Sequence, residues 1–148
     1  MCSAMQVQIR DLQTLPVDEP LLADAARAAL AVARGRLDAV DIAIVDDGRI
    51  RALNRAYRNS DCATDVIAFE AEDDPTGRSG EVIVSAQTAR RQAAAAGHSL
   101  QAELCLLVAH GVLHVLGYED YDERSRATMD ALQERALAAL RERLDRHE

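Results

Sequence analysis

A chain of 148 residues is long enough to bury one proper core without disulfide or metal staples, and its 49% apolar and 28% charged residues are those of an ordinary folded domain. A formal charge of −8 argues against indiscriminate nucleic-acid binding, although a local basic groove can sit on an acidic body. Aromatic residues make up only 3%, so Ala, Leu, Val and Ile must build the core, and all 17 basic residues are arginine.

Residues 5–9 alternate apolar and polar and predict a short strand. Pro16 and Pro20 frame a loop in which Asp18 or Glu19 favours the start of a helix over 21–34, closed by Gly35. Residues 40–45 are β-branched and then nearly continuous in their apolarity, as an inner strand requires. Asp46-Asp47-Gly48 punctuates the chain before helical spacing returns over 50–57. Residues 65–69 predict a further strand, 71–79 a polar surface loop, and Gly80-Glu81 the opening of a strand through Val84. Ser85 should cap a helix ending at Gly97, and Ser99 a second one reaching about Leu116. A last amphipathic helix is expected over 121–146, with Met129, Leu132, Ala136, Leu140 and Leu144 on one side. Without repeats or linkers, residues 1–148 read as a single α+β domain, a small mixed sheet of about four strands with about five helices.

Cys2, Cys62 and Cys105 are far apart and odd in number, which suits a reducing compartment and small buried or incidental thiols. No apolar run approaches the ~18 residues of a membrane span, and no signal-peptide profile opens the chain. The expectation is a cytoplasmic protein with no membrane partner.

The stretch from Ala109 to Asp120 carries the chemistry. His110 and His114 are four apart and share one helix face. Gly117 can end that helix in a left-handed turn, returning Glu119 or Asp120 toward the imidazoles. Two ring nitrogens and one carboxylate oxygen leave a coordination position open, the arrangement of catalytic zinc. The competing reading is a pair of core histidines bonded to carbonyls. Arg49 and Arg51 read as a solvated face, whereas Arg55 and Arg58 share a face at i,i+3. Arg58 stands at a helix end beside Asn59, Ser60 and Asp61, where its planar guanidinium could hold a phosphate. Asp65, before an apolar strand, is expected near the same cleft. His98 and His147 are expected to face solvent.

The run His110-Gly111-Val112-Leu113-His114-Val115-Leu116-Gly117-Tyr118-Glu119-Asp120 resembles the H-G-x-L-H-L-x-G-Y-D-H signature of the YbeY family, bacterial endoribonucleases of ribosomal RNA maturation. Leu53-Asn54-Arg55-Ala56-Tyr57-Arg58 resembles its L-N-x-x-Y-R, Thr64-Asp65-Val66-Ile67-Ala68-Phe69 its T-[DN]-V-L-S-F, and Gly80-Glu81-Val82-Ile83-Val84 its G-D-I-x-I. The resemblance implies an α+β fold with the metal site on a helix and the following turn. It makes His110 and His114 the first two zinc ligands and Arg58 the catalytic or RNA-contacting arginine. Where the family usually has a third histidine this chain has Asp120, preceded by Glu119 as a rival of longer reach. An anionic ligand weakens the Lewis acidity of the ion it holds.

The function so implied is a metal-dependent, single-strand-type endoribonuclease in ribosomal RNA processing and ribosome maturation or quality control. It would act on RNA of the ribosome or its small subunit. One Zn²⁺, or another divalent transition metal, is bound by His110, His114 and Asp120; His114 and Arg58 are catalytic, with Arg55, Arg58 and Asp65 binding substrate. The alternatives are a ribosome-associated assembly factor with a structural metal, and a metal-dependent hydrolase of another phosphoester or amide. A zincin protease is disfavoured because Gly111 stands where those enzymes carry a glutamate base.

Overall fold

The structure, a computed structural model, describes residues 4–59 and 64–147; Cys2, Ser60, Asp61 and Cys62 lie outside them. In chain order the elements are β1 (Gln6–Asp11), α1 (Glu19–Ala33), β2 (Ala39–Val45), α2 (Asp47–Arg58), β3 (Val66–Asp74) and β4 (Gly77–Ser85). Four helices follow: α3 (Ala86–Ala96), α4 (Leu100–Val115), α5 (Glu123–Ala138) and α6 (Arg141–Asp145). The strands form one mixed sheet in the order β1-β2-β4-β3. β1, β2 and β4 run parallel, because helices separate them in sequence, and β3 runs antiparallel to β4. The α+β class and the small mixed sheet agree with expectation, with six helices among the described residues rather than about five.

β2 is buried on both faces, as its nearly continuous apolar run requires. Val40, Ile42 and Ile44 join Val82 and Val84 beneath α1 and α4, while Ala43, Val45 and Ile83 meet Ile50 of α2 and Ile67 on the other side. α4 lies deepest of the helices, with Leu104, Cys105, Val108, Ala109, Val112 and Leu113 fully buried. Two glycines permit that depth. A Cβ on Gly111 would lie 2.5 Å from Val82 Cγ1, and one on Gly80 2.2 Å from Val115 Cγ1. Gly111→Ala is therefore expected to destabilise the fold. Overpacking of ~1–3 kcal/mol exceeds the up to ~1 kcal/mol of helix propensity it regains. A lowered denaturation midpoint checks this; an unchanged one would mean that helix and sheet part freely.

The expected polar loop over 71–79 is a β-hairpin instead. Only Pro75 and Thr76 separate β3 from β4, and the Asp74 carboxylate accepts from Thr76 N at 2.8 Å and from Thr76 Oγ1. Glu72, Asp73 and Asp74 are all exposed, so backbone pairing continues where there is no buried face to leave an apolar signature. The expected helix over 121–146 is broken after Ala138, and α6 starts past Leu140. The apolar stripe runs unbroken through Leu140 and Leu144. The break brings Arg143 to Asp24 and His147 Nε2 to 3.0 Å from Asp18 Oδ2, contacts remote in sequence that no local pattern announces. At the end of α1 the left-handed residue is Arg34, at φ 51°, not Gly35.

Helix starts follow the sequence closely. Asp18, Asp46, Ser85, Ser99 and Asp122 each accept a backbone N–H of the first turn. Asp47, opening α2, accepts from Ser85 Oγ at 2.6 Å and Thr88 Oγ1 at 2.7 Å and pairs with Arg91 at 2.9 Å, fixing α2 against α3. Burial pushes this carboxyl up, but the two hydroxyls and the guanidinium outweigh it and hold it below its ordinary 3.8. Its contribution to stability is thus complete above the unfolded value and lost as the pH falls below 3.8 through the depressed folded value. Asp47→Asn should flatten that part of the acid-denaturation curve, which urea midpoints between pH 5 and 2 would reveal, a range about the shift just cited.

Candidate metal centre

The last two turns of α4 carry His110 and His114 on one face, their Nε2 atoms 3.0 Å apart and their rings edge to face at 4.5 Å. The helix then ends in a reversal that the sequence specifies. Gly117 takes φ +99°, its N–H donates to His114 O at 2.9 Å, and Tyr118 N–H donates to Leu113 O at 3.0 Å. The chain doubles back and sets Asp120 Oδ2 3.4 Å from His110 Nε2 and 3.6 Å from His114 Nε2. The side chains of His110 and His114 are half-buried.

These three atoms make a triangle with edges of 3.0, 3.4 and 3.6 Å. Tetrahedral zinc with N and O ligands at ~2.0–2.2 Å needs edges of roughly 3.3 Å, so the donor set fits one face of such a shell and leaves its fourth corner open. His110, His114 and Asp120 are the group among the described residues whose donor atoms converge in this way. Glu119, the other candidate for third ligand, lies differently. Its carboxylate is 4.0 Å from His114 Nδ1, at the back of the ring, while Asp120 faces the front.

One participant was not foreseen. Gln133 on α5 is buried, and its Oε1 meets His110 Nδ1. The available signal was a polar residue at i+4 from Met129 and i−3 from Ala136, within an otherwise apolar stripe.

A cleft of about 430 Å³ opens in front of the triad. Arg58 reaches it from the end of α2, Thr64 and Asp65 from the approach to β3, and Glu70 from β3 itself. Arg58 is exposed and has no ion pair or hydrogen bond among the described residues. The Asp65 carboxylate is steadied by Gln92 Nε2 at 3.3 Å, and its carbonyl accepts from Ser85 N at 2.9 Å. Glu70 was missed by sequence reasoning, and Arg55, one turn before Arg58, does not line the cleft. Among the described residues four carboxylates, of Asp65, Glu70, Glu119 and Asp120, and one guanidinium line this cleft. A bound cation would offset their charge and make the cleft more favourable to an anion.

The remaining histidines stand apart from the triangle as expected, His147 exposed and His98 partly so, and each has a carboxylate partner. His98 bonds to the buried Glu103 at 2.6 Å and His147 to Asp18. Burial pushes the Cys105 thiol up to about 12, so it stays protonated and unreactive. Gly111 supplies no general base, and its Cβ direction points into the sheet at Val82 rather than into the cleft.

The sequence profile described as Endoribonuclease YbeY matches residues 8–141. The chain belongs to the YbeY family. An Endoribonuclease YbeY of Moorella thermoacetica is 41% identical over 154 aligned positions, covering 92% of this chain and 97% of that protein. One from a Synechococcus strain is 50% identical over 100 positions, covering 63% of this chain and 60% of the relative. A Thermotoga maritima protein solved in solution shares the fold at a TM-score of 0.62 and 23% identity, with 93% of each chain covered. The YbeY motifs fall on the elements just described. H-G-x-L-H closes α4, L-N-x-x-Y-R ends α2 and G-E-V-I-V lies in β4.

Proposed function

We propose that this protein is a metal-dependent endoribonuclease that cuts unpaired segments of ribosomal RNA in the cytoplasm. The observation that carries the reading is Arg58, without an ion pair among the described residues, lining one cleft with the His110–His114–Asp120 triangle. The names of its relatives as endoribonucleases support the same chemistry. A zinc or similar divalent ion held by the three residues would supply Lewis acidity to a phosphoryl oxygen and acidity to a nearby hydroxyl or water. The chain's own residues supply the rest. Arg58 grips the non-bridging oxygens in bidentate fashion and offsets charge that grows as the phosphorus becomes five-coordinate. Asp65 and Thr64 form the shelf on which the strand lies, and the half-buried walls limit water.

Because the carboxylates outnumber the guanidinium, RNA affinity should rise on metal loading as well as the cutting rate. The test is purified protein, metal-free and zinc-loaded, on RNA with both stems and loops. Expected are loop cuts that vanish on chelation and return with zinc. Binding without cutting would favour a ribosome assembly factor. Neither binding nor cutting would overturn the reading.

A further inference from the structure

We propose that Gln133 is a positioning residue for the metal centre, fixing the tautomer of His110 so that its Nε2 is bare toward Asp120. The inference rests on the metal reading above and deepens it. A neutral imidazole carries one N–H and one lone pair, and only the lone-pair nitrogen can bind a metal. His110 Nε2 faces the triangle, while Nδ1 faces the Oε1 of Gln133. A carbonyl oxygen can only accept, so it selects the Nδ1–H form and frees Nε2.

The placement of Gln133 needs such a role. It is 8% exposed and lies on the buried stripe of α5 between Met129 and Ala136, where leucine would pack at lower cost. The two histidines are consequently unequal. Among the described residues Nδ1 of His114 faces the Glu119 carboxylate at 4.0 Å, beyond hydrogen-bond reach and on a side chain 48% exposed, so no comparable partner holds it. An amide also orients the ring without adding charge. With Asp120 already anionic, a carboxylate at 133 would cancel the remaining formal charge of a divalent ion and blunt its Lewis acidity. Through this bond the docking of α5 on α4 and the occupancy of the site become linked.

The test uses the full chain and zinc itself. Gln133→Met keeps nearly the same length without an acceptor, Gln133→Leu fills the stripe, and Gln133→Glu restores an acceptor. Zinc affinity is read by chelator competition, the His110 tautomer by ¹⁵N NMR of metal-free protein, and stability by denaturation without metal. Expected for Met and Leu is zinc binding ~10–100-fold weaker, the usual loss for an outer partner of a ligand histidine. His110 should then become a tautomer mixture, with metal-free stability unchanged or raised. Gln133→Glu should recover the Nδ1–H form and the affinity. Zinc held equally by wild type and a folded Gln133→Met protein overturns the role of Gln133 alone, as does a metal-free wild type with His110 in the Nε2–H form. A wild type that binds no zinc overturns the metal reading and this proposal together. If Gln133→Leu does not fold, the Met variant and the wild-type tautomer decide.

Discussion

Replacing His114 with alanine is expected to abolish tight zinc binding and RNA cleavage together, with little change in the stability of the metal-free protein. The reason is the geometry of the triangle. Loss of an outer partner weakens a metal site by ~10–100-fold, so removing one of three direct donors must cost more than that. The side chain is 22% exposed and stands at the rim of the core, so truncation there opens only a small cavity. Asp120→Ala should behave similarly, since its Oδ2 is the third corner, whereas Glu119→Ala should lower zinc affinity only modestly. Calorimetric titration of the three variants ranks them. A Glu119 variant weaker than the Asp120 variant would show that the longer carboxylate swings forward to replace its neighbour.

Arg58→Ala should reduce the cleavage rate by ~10²–10³-fold, the usual cost of one charge-stabilising donor. Zinc affinity should be unaffected, because Arg58 has no contact with the histidines or Asp120 among the described residues. Arg58→Lys should recover only part of the rate, since an ammonium supplies charge but not the planar fork. The loss should appear in kcat as well as KM if the guanidinium engages more strongly as phosphate charge grows. Cutting at the wild-type rate by Arg58→Ala would assign the activity to a contaminating nuclease or to another residue. Together these variants separate ion from anion clamp.

Much of the centre was legible in the chain because its logic is local. His110 and His114 are placed by helical spacing, and the Gly117 reversal by the left-handed conformation glycine accepts. The caps at Asp18, Ser85 and Ser99 were legible for the same reason, whereas Asp46 and Asp122 cap helices without having been singled out. The choice between Glu119 and Asp120 was not. Both follow the same turn, and which of two consecutive side chains faces the rings depends on how the segment leaves Tyr118. Gln133 was hidden more deeply, since it comes from a helix whose pairing with α4 is tertiary. The β3–β4 hairpin escaped because its outer half has no buried face. The α5–α6 break escaped because the ion pairs that reward it join positions far apart. Glu70 reaches the cleft only because β3 runs past it, a fact of sheet order rather than of motif.

The most direct test of the account is anomalous scattering from a crystal of the zinc-loaded protein. The account predicts one strong peak within ~2.0–2.2 Å of His110 Nε2, His114 Nε2 and an Asp120 oxygen, with its fourth position toward Arg58. No peak there, or an ion bound without either histidine, would contradict it.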